Sequence, residues 1–170
     1  MSGGSLKLRG LARAVLGDNI DTDVIYPGRY LNITDRELTA EHLFELAHPE
    51  IRAAIRPGDF IVAGRNFGCG SSREQAAAAL KFAGVGAVIA GSFARIFYRN
   101  AINLGLPAVI APEAVSACAA GDELEVDLAA GEIRNLTRDR GIAAAKLDPR
   151  AVELITAGGL IPYLKRKYAA

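Results

Sequence analysis

The chain has 170 residues, 51% of them hydrophobic, which is enough for one compact domain with a proper core and short for two. Its 20 Lys and Arg nearly cancel its 19 Asp and Glu, and no basic stripe interleaves with aromatics, which argues against nucleic acid as a partner. No stretch approaches the ~18 apolar residues a bilayer span needs, and the first residues, Met1-Ser2-Gly3-Gly4-Ser5, carry no apolar signal core, so a cytoplasmic chain with no membrane partner is expected.

Cys69 and Cys118 are far apart and form neither a disulfide framework nor a CxxC pair, which suits a reducing compartment. With only His42 and His48 beside them, a metal site built wholly from this chain would lack soft ligands, and none is expected.

In chain order, residues 6–16 alternate loosely and read as a strand, followed by the acidic turn Gly17-Asp18-Asn19-Ile20-Asp21-Thr22-Asp23. Asp18, Asp21 and Asp23 lack EF-hand spacing, and the glycine and glutamate that complete such a loop are missing. Pro27 and Gly28 make a turn. Thr34-Asp35-Arg36-Glu37 has the spacing of a capping box, predicting a helix with Leu38, Leu43 and Leu46 on its apolar side that ends near His48 and Pro49. His42 within it and His48 at its end have no partner at ligand spacing.

Residues 59–63 read as a short buried strand, 64–70 as a glycine-rich loop, 71–83 as an alanine-rich helix and 87–90 as a second strand. That strand-helix-strand crossover implies parallel pairing, and a helix at 93–104 with a strand at 108–110 repeats it. Beyond Pro112, residues 123–128 and 132–136 flank Ala129-Ala130-Gly131 as a hairpin. Residues 148–157 form a closing helix capped by Gly158 and Gly159, and Lys165, Arg166 and Lys167 read as a solvated tail. The expected class is α/β.

The loop Gly64 to Glu74 joins a strand end to a helix start, where unpaired N–H groups and the helix dipole favour an anion. Its glycines let backbone come close to a ligand, Ser71 and Ser72 supply hydroxyls, and Arg73 supplies a fork for a carboxylate. Three standard motifs fail here. No lysine precedes Ser71 as a P-loop requires, Arg73 stands where a dinucleotide fingerprint has its last glycine, and no glycine completes a nucleophile elbow. On the residues alone, Ser71 or Ser72 could equally be a helix cap and Arg73 a solvated first-turn residue.

Gly68-Cys69-Gly70-Ser71-Ser72-Arg73-Glu74, then Ser92-Phe93-Ala94-Arg95-Ile96 with Asn100, then Gly105-Leu106-Pro107 resemble the swivel domain of the aconitase superfamily. Asp18 to Asp23 and Pro27-Gly28-Arg29-Tyr30-Leu31 agree with it in order and spacing, and the resemblance covers residues 8–163. The chain is similar above all to the superfamily's isopropylmalate-type small subunits, with homoaconitase small subunits close behind. The fold this implies is an aconitase-like swivel domain, α/β, with a mixed, barrel-like sheet and flanking helices.

In that family water is removed from a hydroxy acid and added back in the other sense. The hydroxyl leaves onto an iron-sulfur cluster while a base takes a proton from the neighbouring carbon. Clusters are normally held by cysteine thiolates, and two cysteines fall short of the usual three, so this chain has no cofactor of its own and the cluster comes from a large partner subunit. The resemblance implies that Ser71 is the base, its alkoxide stabilised by neighbouring amides and a cation, that Ser72 and Arg73 bind substrate carboxylate, and that Asp23 is an active-site aspartate. Arg29 matches a second carboxylate-binding arginine. Arg95 stands on the helix backing the site, as a substrate contact or a structural ion-pair residue.

Substrate choice in the family lies with the loop Tyr30-Leu31-Asn32-Ile33, whose uncharged Asn32 and Ile33 favour an isopropyl group over the further carboxylate of homoaconitate. Citramalate and dimethylmalate types stay open, as does a non-catalytic module that senses a small carboxylate at the Ser71-Ser72-Arg73 loop.

Overall fold

The computed structural model describes residues 6–169; Met1 to Ser5, expected to carry no apolar signal core, lie outside the described residues. From the N-terminal side, β1 (Lys7–Val15) runs into the acidic loop and the one-turn helix α1 (Thr22–Ile25), then a 3-10 turn at Gly28–Tyr30. Next come α2 (Arg36–Glu41) and α3 (Pro49–Ala54), then β2 (Phe60–Ala63), α4 (Glu74–Phe82), β3 (Ala87–Ala90), α5 (Arg95–Asn103) and β4 (Ala108–Ile110). The one-turn helix α6 (Ala114–Ala117), β5 (Glu123–Asp127), β6 (Glu132–Asn135), β7 (Arg140–Ala143), α7 (Pro149–Ala157) and α8 (Leu160–Lys167) complete the chain.

The strands form one curled seven-stranded sheet in the order β4-β3-β2-β1-β5-β6-β7. β1 is the seam. It pairs parallel with β2, which continues parallel to β3 and β4, and antiparallel with β5, which continues antiparallel to β6 and β7. The two halves carry the burial patterns their pairing requires. Every residue of β2 and β3 is buried because helices cover both faces of the parallel half, whereas β5 and β6 bury alternate residues and leave one face toward water. On α4, Ala76 to Ala79 and Leu80 are buried, and the small alanines let that helix pack closely against α2.

Helix ends follow local chemistry where it is strong. Asp148 caps α7 by accepting from the Arg150 N–H at 2.7 Å, Pro149 opens it, and Gly158 closes it at φ 93°. Elsewhere the sequence expectation needs correction. Asp35, not Thr34, caps α2, and that helix stops at Glu41 because Phe44 turns left-handed, at φ 56°, to bury its ring. A second helix, α3, then begins at Pro49. Leu43 is fully buried, but Leu38 and Leu46 are exposed, so the three leucines do not share an apolar face. The stretch read as a solvated tail is the last turn of α8, with its basic side chains exposed, and β7 adds a third strand to the expected hairpin.

Candidate active site

Because β1, β2 and β3 are parallel, the loops that leave their carboxyl ends emerge together. Those loops are residues 16–21, 64–73 and 91–94, and they are stitched to one another by backbone and side-chain hydrogen bonds. The Asn19 N–H donates to the Arg65 carbonyl at 2.8 Å, the Gly68 N–H to the Ile20 carbonyl at 2.7 Å and the Thr22 N–H to the Cys69 carbonyl at 2.9 Å. On the other side, the Asn66 N–H donates to Ser92 Oγ at 2.8 Å and the Ala94 N–H to the Phe67 carbonyl at 2.9 Å.

The acidic residues are spent on this stitching. Asp18 Oδ1 accepts from the Arg65 N–H at 2.7 Å, and Asp21 Oδ1 accepts from the Val24 N–H at 3.0 Å as the cap of α1. Asp23 pairs with Arg73 and also accepts from the Gly28 N–H at 3.2 Å. Two glycines are required by close approach: a side chain at Gly64 would strike Asp18, and one at Gly68, which sits at φ 82°, would strike the Phe97 ring.

These loops frame a cleft of about 230 Å³ lined by Ser71, Ser72, Arg73, Thr22, Arg95 and Phe97 among others. Ser71, Ser72 and Arg95 are exposed at its mouth. Arg73 is held inward by Asp23: its side chain is 16% exposed and that of Asp23 65%. The hydrogen bond from the Arg73 guanidinium keeps the Asp23 carboxyl below the usual carboxylate range, against a smaller opposing effect of desolvation.

The helix after the loop starts later than its sequence indicates. α4 begins at Glu74 with Arg73 at the cap position and no side-chain cap, so neither Ser71 nor Ser72 caps it. The reason is tertiary. Arg73 is extended, at φ −135° and ψ 109°, as its side chain turns to Asp23, and the Ser71 carbonyl accepts from Thr22 Oγ1 at 3.0 Å.

Family comparisons agree with this architecture. Residues 50–113 match the model of the Aconitase C-terminal domain. The 3-isopropylmalate dehydratase small subunit of Moorella thermoacetica is 56% identical over 151 residues, covering 89% of this chain and 91% of that protein. The chain belongs to the family of 3-isopropylmalate dehydratase small subunits. Another relative, the isopropylmalate/citramalate isomerase small subunit of Methanocaldococcus jannaschii, is 52% identical across 90% of this chain and 91% of its own length. A crystal structure of 3-isopropylmalate dehydratase from Methanocaldococcus jannaschii superposes with TM-score 0.87 at 45% identity, covering 95% of both chains. Membership of the dehydratase small-subunit family makes this chain an aconitase-type hydro-lyase subunit and sets aside the reading as a free-standing carboxylate sensor.

Within this small-subunit fold the expected site residues fall into two groups. Ser71, Ser72, Arg73 and Arg95 meet at the cleft, and Asp23 joins them through Arg73. Arg95 is exposed and makes no salt bridge among the described residues. Arg29, Tyr30, Asn32 and Ile33 do not line the cleft. Tyr30 stacks on His42 with ring centroids 3.6 Å apart, Arg29 lies over the Tyr30 ring at 5.6 Å, and the Leu31 carbonyl accepts from Gln75 Nε2 at 3.3 Å. That segment reaches the site only at Gly28, where a side chain would press on the Arg73 guanidinium.

Thr22 and Phe97 were not legible as site residues. Nothing in Asp21-Thr22-Asp23 distinguishes the threonine from a solvated polar residue. The donor set does not fit an iron-sulfur cluster, since Cys69 is half-buried in the loop, Cys118 is buried with its thiol pKa raised by desolvation, and no metal-holding group of His, Cys, Asp and Glu occurs among the described residues. No helix of the described residues is long and apolar enough to cross a membrane.

Proposed function

We propose that this chain is the small subunit of a heteromeric 3-isopropylmalate dehydratase that interconverts 2-isopropylmalate and 3-isopropylmalate in leucine biosynthesis, in the cytoplasm. The observation that carries this reading is the exposed Ser71 and Ser72 beside an Arg73 held inward, at the joined loops of a small-subunit fold. The cleft is open on the side where Ser71, Ser72 and Arg95 are exposed, and a large subunit carrying the iron-sulfur cluster closes it. In this scheme Arg73, with the adjacent Ser72, grips a substrate carboxylate through two parallel hydrogen bonds. Ser71, as its alkoxide, then takes the proton from the carbon next to the one bearing the hydroxyl, the C–H electron pair becomes the double bond, and the C–O bond breaks. The large subunit's cluster would supply the Lewis acid that accepts the departing hydroxide, which with the proton now on Ser71 makes up the water lost. Re-addition of water in the other sense gives the isomer.

Citramalate is the second reading, supported by the isopropylmalate/citramalate isomerase subunit among the relatives. Reconstitution with the cognate large subunit, followed by turnover of both substrates, separates the two. In the same assay Ser71→Ala lowers kcat at least about a hundredfold, the scale for loss of a positioned base, with substrate affinity little changed. Activity within a few-fold of wild type would remove Ser71 from the mechanism.

A further inference from the structure

Thr22 lines the cleft but is only 3% exposed. Its backbone N–H donates to the Cys69 carbonyl at 2.9 Å, and its Oγ1 donates to the Ser71 carbonyl at 3.0 Å. Each peptide unit here is planar and trans, so a carbonyl and the N–H that follows it point in opposite directions. With the carbonyls of Cys69 and Ser71 turned onto buried Thr22, the N–H groups of Gly70 and Ser72 are aimed away from it, on the side of the loop where Gly70, Ser71 and Ser72 are exposed. No backbone carbonyl among the described residues accepts from either of them. Two free amides therefore flank Ser71, and one of them owes its direction to a side-chain hydroxyl.

We propose that Thr22 is a positioning residue for the chemistry at Ser71: its hydroxyl fixes the Ser71–Ser72 peptide so that the Ser72 N–H meets the negative charge that develops there. Preorganised donors of this kind act on the charged, reacting state more than on the bound substrate. The inference rests on the dehydratase reading and goes beyond it in assigning the buried threonine.

Thr22→Val keeps the shape and the backbone N–H and removes only the hydroxyl. In the reconstituted two-subunit enzyme it lowers kcat about thirtyfold with KM within about twofold, and Thr22→Ser recovers kcat to within about threefold of wild type. Amide spectra of the full small-subunit chain give an independent readout. In Thr22→Val the Ser72 resonance moves, the Gly70 resonance stays because the Cys69 carbonyl keeps its backbone partner, and Thr22→Ser restores both. An unchanged kcat in Thr22→Val, a loss confined to KM, a Ser72 resonance that does not move, or Ser72 and Gly70 resonances that move together would each overturn the assignment. A wild-type pair without turnover would defeat the dehydratase reading instead, and the amide spectra would still decide whether Thr22 sets the peptide.

Discussion

Of the four aspartate–arginine pairs among the described residues, two, one beside each half of the sheet, have their burial reversed. In the parallel half Asp23 is 65% exposed and its partner Arg73 is 16% exposed; in the antiparallel half Asp122 is 6% exposed and its partner Arg138 is 53% exposed. Asp122 Oδ2, which takes the Arg138 hydrogen bond, also accepts from the buried Asn135 Nδ2 at 2.8 Å and from the Ala119 N–H at 2.9 Å, so one carboxylate oxygen holds three protein donors. Both carboxyls sit below the usual range, Asp122 chiefly through the Asn135 hydrogen bond and Asp23 chiefly through Arg73. The difference teaches where a ligand can enter. A buried carboxylate surrounded by donors is a pin for the fold, whereas a guanidinium sheltered behind an exposed carboxylate can turn its remaining donors to a carboxylate from outside.

The sharpest test of this contrast is Asp122→Ala, which leaves buried Asn135 Nδ2 with only the Ala117 carbonyl of its two acceptors and is expected to cost about 2–3 kcal/mol of folding stability. The folded fraction should keep wild-type kcat and KM in the reconstituted enzyme. Denaturant unfolding beside steady-state kinetics measures both, and a variant that stays stable but loses activity would break the contrast.

Arg73→Lys is expected to act the other way. Charge is kept but the planar two-bond grip is lost, so KM rises about tenfold while the unfolding midpoint hardly moves. An unchanged KM and kcat would reduce Arg73 to a diffuse positive charge.

The mildest change is Asp23→Asn. An exposed pair contributes only about 0–1 kcal/mol, so the midpoint should shift by no more than a few °C, and KM should rise about threefold as Arg73 loses its tether. The pH dependence has a definite sign. A carboxyl with a lowered folded pKa stabilises above its unfolded value and loses that contribution only as pH falls through the lowered one. The Asp23–Arg73 pair is therefore intact across neutral and mildly acidic pH, and the wild-type to Asp23→Asn KM ratio should stay constant as pH falls until it passes through the lowered carboxyl pKa, where the two converge. Unfolding of this variant on the scale of Asp122→Ala would show that both pairs are pins.

Some of this was legible in the residues because the signals are local. Alternation and apolar runs placed β1 to β6, the alanines placed the body of α4, Asp148 with Pro149 and Gly158 bounded α7, and Gly68 to Arg73 marked the loop that lines the cleft. The family motifs followed from residue identity in order, which needs no third dimension.

Tertiary structure decided what depends on partners far along the chain. α4 starts at Glu74 rather than Ser71 because Arg73 is extended, with its side chain paired to Asp23 50 residues away and the Ser71 carbonyl bonded to Thr22. Leu38 and Leu46 face water because Phe44, not they, turns into the core, and Arg29, Tyr30, Asn32 and Ile33 stand off the cleft because Tyr30 stacks on His42. Which of two Asp–Arg pairs hides its arginine and which hides its aspartate is likewise absent from residue identity. A side chain's burial is set by what the rest of the fold lays over it, and in this protein that turns Arg73 inward at the cleft and leaves Asp23 toward water.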